Sequence, residues 1–303
     1  MTPATLAAVP TAGTLATLRP GERVEGVFAC TRKERLAART GAPYLALELR
    51  DRSGALPARL FRDADLQGGR FEAGQLVAVS GRVVRFREQT QIELERIGRA
   101  GDAEIDPRDF LPVAYRDLDE LDGFLEHLSR EVADPGYRVL LDGLLEDAAF
   151  RAQFRLAACT RAGHHAYLGG LLEHTVAVAT LAQELALGHP RLDSDLLICA
   201  AIVHDIGKTR EFSYGATIER SDEGRMLGHV QIGLRLLRER AGARLDERRL
   251  LALEHCVLCH HGADAAPGGR FASVEALALA RLNALDAAVK GALEHGLDAR
   301  GVR

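Results

Sequence analysis

The chain has 303 residues, enough for two ordinary domains at ~150 residues each. Of these, 47% are hydrophobic, which excludes a disordered polypeptide, and the net charge of −4 excludes a protein that is basic throughout. The charges are unevenly placed. Residues 1–98 hold 15 Lys+Arg against 11 Asp+Glu, the remainder holds 24 against 32, and all eleven histidines lie after residue 126. Only Lys33, Lys208 and Lys290 are lysines; every other basic residue is arginine. A mildly basic, histidine-free front and an acidic, histidine-rich back predict two domains with different tasks.

In chain order, the first 18 residues are uncharged and interrupted by two prolines and five threonines, with no positive n-region. Residues 1–20 therefore read as a flexible extension rather than a signal peptide. No later stretch reaches the ~18 apolar residues that a membrane helix needs, so no membrane association is expected. Five cysteines make no paired framework, which predicts a reducing, cytoplasmic location. The string Cys256-Val257-Leu258-Cys259-His260 matches a haem-attachment motif. It occurs once, inside a helical pattern and without an export signal, so haem is not expected. A four-cysteine zinc site fails for want of a second cysteine pair.

Residues 21–98 carry strand-like runs at 22–30, 44–51, 55–61, 76–87 and 90–97. Leu45, Leu47 and Leu49 alternate onto one face, and Ser53-Gly54 supplies a hairpin turn. Five strands with a break between the third and fourth fit an OB-type Greek-key barrel, or another small barrel. Its polar faces carry Arg59, Arg62, Arg82, Arg85 and Arg87, with Tyr44, Phe61 and Phe86 close in sequence. Arginines beside aromatics hold single-stranded nucleic acid, guanidinium to phosphate and ring under base. Arg59, Arg85 and Phe86 are the expected contacts. The same residues on a merely solvated face would look alike in sequence.

Residues 99–116 read as a linker broken by Gly101, Asp106-Pro107 and Pro112. From 117 to 303 the pattern is helical and rich in Leu and Ala. It predicts an all-α bundle with helices near 117–132, 136–146, 148–160, 169–187, 193–206, 226–241, 246–260 and 273–294.

Histidines fall at the ends of these helices. His174 lies early in one, His204-Asp205 ends the apolar run 196–203, His229 opens another, and His260-His261 closes the next. Several imidazoles and one carboxylate in a helical bundle suit a transition-metal site. The two oxygens of Asp205 could bridge two ions. His127, His189 and His295 have no such company, and His255 does not share a helix face with His260.

His174, His204-Asp205 and the position at Asn283 resemble the H…HD…D pattern of HD-domain metal-dependent phosphohydrolases. The longer strings are more specific. His164-His165-Ala166-Tyr167-Leu168-Gly169-Gly170-Leu171-Leu172-Glu173-His174-Thr175, His204-Asp205-Ile206-Gly207-Lys208, Gly228-His229 and His260-His261-Gly262 resemble the YhaM-type 3′→5′ exoribonucleases. That family also sets an OB-fold domain before its HD domain, so the resemblance spans about residues 20–290.

The resemblance implies metal ligation by His174, His204, Asp205 and His229, with His260, His261 or both. It also implies one or two divalent ions, Mn²⁺ or similar, and single-stranded RNA (or DNA) shortened from its 3′ end. The last ligand departs from the pattern, because Asn283 stands where the family has Asp and Ala280 where it has His. An Asn oxygen ligates without charge and more weakly. Asp205 is expected to orient the nucleophile and Lys208 to contact the scissile phosphate. His165 and Tyr167 are expected on the substrate sugar or base. Two other readings stay open: an HD phosphohydrolase of small nucleotides, and a nucleic-acid-binding protein with catalysis weakened at Asn283. A homo-oligomer is compatible with either.

Overall fold

The computed structural model describes residues 15–101, 106–242 and 245–297. The chain divides into two compact units, Met1–Pro112 with Tyr214–Glu219, and Val113–Ser213 with Arg220–Arg303.

The first unit is built on strands β1 (Arg23–Ala37), β2 (Pro43–Asp51), β3 (Gly54–Leu60), β4 (Leu76–Phe86) and β5 (Gln89–Arg99), with a short helix α1 (Ala64–Gly68) between β3 and β4. They close into a barrel in the order β1-β2-β3-β5-β4. Strand β1 is long enough to pair antiparallel with both β2 and β4, and the parallel register Ala58↔Ile92 to Leu60↔Leu94 joins β3 to β5. This is the Greek-key connectivity of an OB fold. Leu45, Leu47 and Leu49 all point inward, packed with Phe28, Leu60 and Ile92.

Two segments are more ordered than composition suggests. Residues 1–14 of the expected extension lie outside the described residues, but Leu15–Thr17 form a 3-10 turn. Leu15 is buried in the barrel core, and its N–H donates to the Asp51 carboxylate at 2.9 Å. Within the segment read as a linker, Phe110 is buried against Val27, Ala29 and Ala78. Isolated apolar anchors of this kind carry no periodicity, so sequence reading passes over them.

The second unit consists of α2 (Leu118–Glu131), α3 (Pro135–Leu145), α4 (Ala148–Leu156), α5 (Gly170–Gly188), α6 (Ser194–Val203), α7 (Lys208–Glu211), α8 (Asp222–Ala241), α9 (Glu247–Cys259) and α10 (Val274–His295). Side chains of Asp117, Asp134, Asp147, Asp193, Ser221, Asp246 and Ser273 cap seven of them by accepting from first-turn N–H groups. A two-stranded hairpin, β6 (Phe212–Tyr214) and β7 (Ile218–Arg220), whose residues Tyr214–Glu219 belong to the first unit, interrupts the helical run after α7 and departs from the all-helical reading. Strands of three residues are too short to show alternation.

Helix α6 is buried from Leu196 to Val203. A helix apolar on every side must sit in the middle of its bundle. The residues that follow it, His204 and Asp205, are therefore delivered into the interior, at 0% and 1% exposure.

Candidate metal centre

Asp205 lies at the centre of the arrangement, and its two oxygens face different imidazoles. Oδ2 is 3.3 Å from His204 Nε2 and 3.6 Å from His174 Nε2. Oδ1 is 3.4 Å from both His229 Nε2 and His260 Nε2. His261 Nε2 lies 2.9 Å from His229 Nε2. Two donor groups result, His174–His204–Asp205 and Asp205–His229–His260–His261, each with its ligand atoms within 4.8 Å of one another.

The outward nitrogen of four of these rings is tied down. His174 Nδ1 is 2.6 Å from Asp286 Oδ2, His204 Nδ1 is 2.8 Å from Ala201 O, and His260 Nδ1 is 2.6 Å from Val257 O. His229 Nδ1 lies 3.3 Å from Glu211 Oε2. An acceptor on Nδ1 places the proton there and leaves the Nε2 lone pair facing inward. Burial adds to this by holding His174 at about 4 and His261 at about 3, with His260 also below its ordinary value. His174, His260 and His261 are neutral donors near pH 7. Burial opposes ionisation of Asp205, but the adjacent Lys208 ammonium outweighs it and holds the carboxyl well below the usual range.

Two glycines make the convergence possible. A Cβ on Gly207 would sit 2.0 Å from the His229 carbonyl oxygen, so only glycine lets the α6–α7 corner approach α8. Gly228 breaks α8 at φ 68°, where a side chain is strained, and the break redirects the chain just before His229.

These donors fit a divalent cation. Among the described residues, Asp205 Oδ1 and His260 Nε2 are buried without any hydrogen-bond partner, a costly state that a bound cation relieves. Nitrogen donors with one bridging carboxylate suit a first-row divalent metal.

The remaining expected residues are placed as follows. Lys208 is buried, with Nζ 2.7 Å from Asp205 Oδ2. It lines a cavity of about 380 Å³ together with Cys159, Arg161, His164, Arg220, His229 and others. Asn283 is buried on α10, and its Nδ2 donates to the His260 carbonyl at 3.1 Å. His165 is 1% exposed, with Nδ1 3.0 Å from the Tyr167 hydroxyl and Nε2 3.1 Å from Asp286 Oδ2. Tyr167 donates to Glu173 at 2.5 Å, and Lys290 donates to the same carboxylate at 3.2 Å. His165 and Tyr167 thus belong to a polar network behind His174. His255 is spent elsewhere, accepting from Ala272 N–H.

On the barrel, Arg59 Nη1 donates to the Ala58 carbonyl, Arg85 pairs with Glu88, and Phe86 is exposed under the Arg87 guanidinium. Phe61 is exposed as well, and its ring lies 5.4 Å from that of Tyr44. Sequence reasoning passed over Arg161, His164, Cys159 and the role of Asp286. Only His164 carried a signal, as the first member of a His-His pair.

Residues 171–288 match the HD domain family. The chain is 31% identical over 244 residues to the 3′-5′ exoribonuclease YhaM of Bacillus velezensis, covering 80% of this chain and 77% of that one. It belongs to the YhaM family. The Bacillus subtilis YhaM is 30% identical over the same shares of the two chains. Among solved structures, the second OB-fold domain of replication protein A from Methanococcus maripaludis is 17% identical, covering 31% of this chain and 97% of that one at a TM-score of 0.25. The HD domain of the Listeria monocytogenes phosphodiesterase PgpH is 20% identical, covering 50% and 73% at a TM-score of 0.29.

This YhaM-family chain is an enzyme, a metal-dependent nuclease or phosphohydrolase whose HD domain implies a divalent ion. No helix among its described residues is long and apolar enough to cross a membrane.

Proposed function

We propose that the protein is a metal-dependent exonuclease that shortens single-stranded RNA from its 3′ end, with Mn²⁺ or a similar ion as cofactor. The supporting observation is the division of Asp205, one oxygen toward His174 and His204 and the other toward His229 and His260. Such a carboxylate offers a donor oxygen to each of the two imidazole groups, and divalent cations held there would supply the chemistry that phosphodiester hydrolysis uses. His174, His204 and Asp205 would hold one ion, Asp205, His229, His260 and His261 the other, with Asn283 as a neutral neighbour. Bound there, divalent ions supply Lewis-acid polarisation of the phosphoryl group and an activated water near neutral pH.

The chain's own residues supply the rest. Asp205 keeps the donor groups in register. Lys208 stays charged because the Asp205 carboxylate outweighs the cost of its burial, and it presents Nζ to the cavity as a compact phosphate contact. Arg161 and Arg220 line the same cavity and are placed to receive further phosphates. His165, Tyr167 and Glu173 support His174 from behind. The barrel supplies affinity for the strand, with Phe61, Phe86, Arg59 and Arg85 as its contacts.

The test is an incubation of 5′-labelled single-stranded RNA with Mn²⁺ or with chelator. A metal-dependent ladder shortening from the 3′ end is expected. Turnover of mononucleotides alone would overturn the reading in favour of a small-nucleotide phosphohydrolase. Binding without cleavage, restored by Asn283→Asp, would overturn it in favour of a strand-binding protein.

A further inference from the structure

Among the described residues, four buried side-chain atoms lack a hydrogen-bond partner: Asp205 Oδ1, His260 Nε2, His164 Nδ1 and Thr175 Oγ1. The first two face the cation positions already described. His164 Nδ1 carries the same mark on a residue to which no role has been given. It belongs to a third donor group, Cys159–His164–His174, whose ligand atoms lie within 4.8 Å of one another.

The local chain path explains how His164 arrives there. His165 has φ 51°, in the left-handed region that non-glycine residues avoid. Across this turn the rings of His164 and His165 flank the His174 ring, with centroids 5.6 and 5.5 Å away. His165 takes the side of Asp286 and is fully hydrogen-bonded, whereas His164 Nδ1 is left bare. Strain of this kind persists where the surroundings demand it, and functional sites are where it collects.

Cys159 is the second donor. Its sulfur is buried and accepts from Lys208 Nζ at 3.3 Å. The same ammonium bonds Asp205 Oδ2, the oxygen that faces His174 and His204. Sulfur, carboxylate oxygen and imidazoles therefore converge on one side of Asp205. With His174 Nδ1 held by Asp286, only Nε2 remains for a cation, so the group of Cys159 and the group of His204 serve the same ion. That position has one carboxylate, shared with its neighbour. A thiolate adds a negative charge there.

We propose that Cys159, as a thiolate, and His164, through Nδ1, ligate the cation held by His174. The proposal rests on the metal-dependent reading above. Binding releases the thiol proton to solvent and requires no redox step. A set of sulfur and imidazole donors favours a borderline divalent ion, Zn²⁺, Fe²⁺ or Co²⁺, over Mn²⁺ at this position.

Cobalt makes the ligand visible. Chelator-treated full-length protein is titrated with Co²⁺, and a near-ultraviolet thiolate-to-cobalt charge-transfer band is expected. The band should vanish in Cys159→Ser, or in Cys159→Ala if the serine variant does not fold. His164→Ala should weaken Co²⁺ binding at least tenfold and shift the visible d–d bands. Stoichiometric Co²⁺ without the band in the wild type overturns the proposal and leaves the metal-dependent reading intact. Failure to bind Co²⁺ or any other divalent ion overturns both. A band that persists without Cys159 assigns the sulfur to another cysteine and overturns the proposal. Unchanged affinity in His164→Ala overturns the imidazole half.

Discussion

Asp286 gives the sharpest test of how the centre is held. Its Oδ2 receives two imidazoles, His174 Nδ1 at 2.6 Å and His165 Nε2 at 3.1 Å. Burial would raise its carboxyl, but the bonds from His165 and His174 outweigh this and hold it well below the usual range. Asp286→Asn keeps one acceptor oxygen, which in the place of Oδ2 still receives both rings, and loses the charge, so both bonds survive in weaker form. Asp286→Ala removes both and leaves two buried N–H groups unpaired. Outer partners of ligating histidines are worth about 10- to 100-fold in metal affinity. The asparagine variant should lie near the lower bound and the alanine variant near the upper, about 1.4 and 2.8 kcal/mol at 1.4 kcal/mol per tenfold. Competition with a fluorescent chelator measures the dissociation constants, and circular dichroism checks the fold. Both variants binding within twofold of wild type, with the fold intact, would refute the assignment of Asp286 as the residue that orients His174.

Three other outcomes are expected. Lys208→Met leaves a buried carboxylate uncompensated in the metal-free protein, a defect of about 3–5 kcal/mol; the fall in Tm should shrink on adding metal, and calorimetry with and without the ion reads the difference. Phe61→Ala and Phe86→Ala should each weaken RNA binding by about 1–3 kcal/mol, the scale of one stacked base, with metal affinity unchanged in equilibrium titration. Burial would raise the Asp134 carboxyl, but the Arg249 guanidinium and the N–H groups of Tyr137 and Gly136 hold it below its ordinary 3.8. Its contribution is thus fully present above pH 3.8 and is lost as the pH falls through the lower folded-state value. The stability gap between wild type and Asp134→Asn in urea should accordingly be wide at pH 7 and close in strong acid.

How much of this was legible beforehand depends on the range of the interaction. The leucine alternation in β2 and the apolar run of α6 are local patterns set by burial, and both strand and helix could be read from them. The HD string was legible too, since α6 must be central and whatever follows it must enter the core. Partnerships across the fold were not. Asp286 meets His174 across 112 positions, and its distance to that ring is decided by how α10 packs on α5. His165 and Tyr167, read as substrate contacts, lie in the network behind His174, and a motif alone does not say which side of a ligand its neighbours occupy. Cys159 and His164 sit in an irregular segment, where no periodicity reports orientation.

The partners of His204 and His260 have a consequence for how the centre tolerates change. Both rings are oriented by main-chain oxygens one turn earlier, Ala201 O and Val257 O, rather than by side chains. Any residue at those two positions that keeps the helix offers the same oxygen at the same place. The aim of these two imidazoles is thus written into the course of the backbone, and substitution around them can adjust packing and stability without turning the rings. His174 and His229 depend instead on side-chain acceptors, Asp286 and Glu211. Variation in the aim of these imidazoles among similar chains should therefore enter through those two carboxylates.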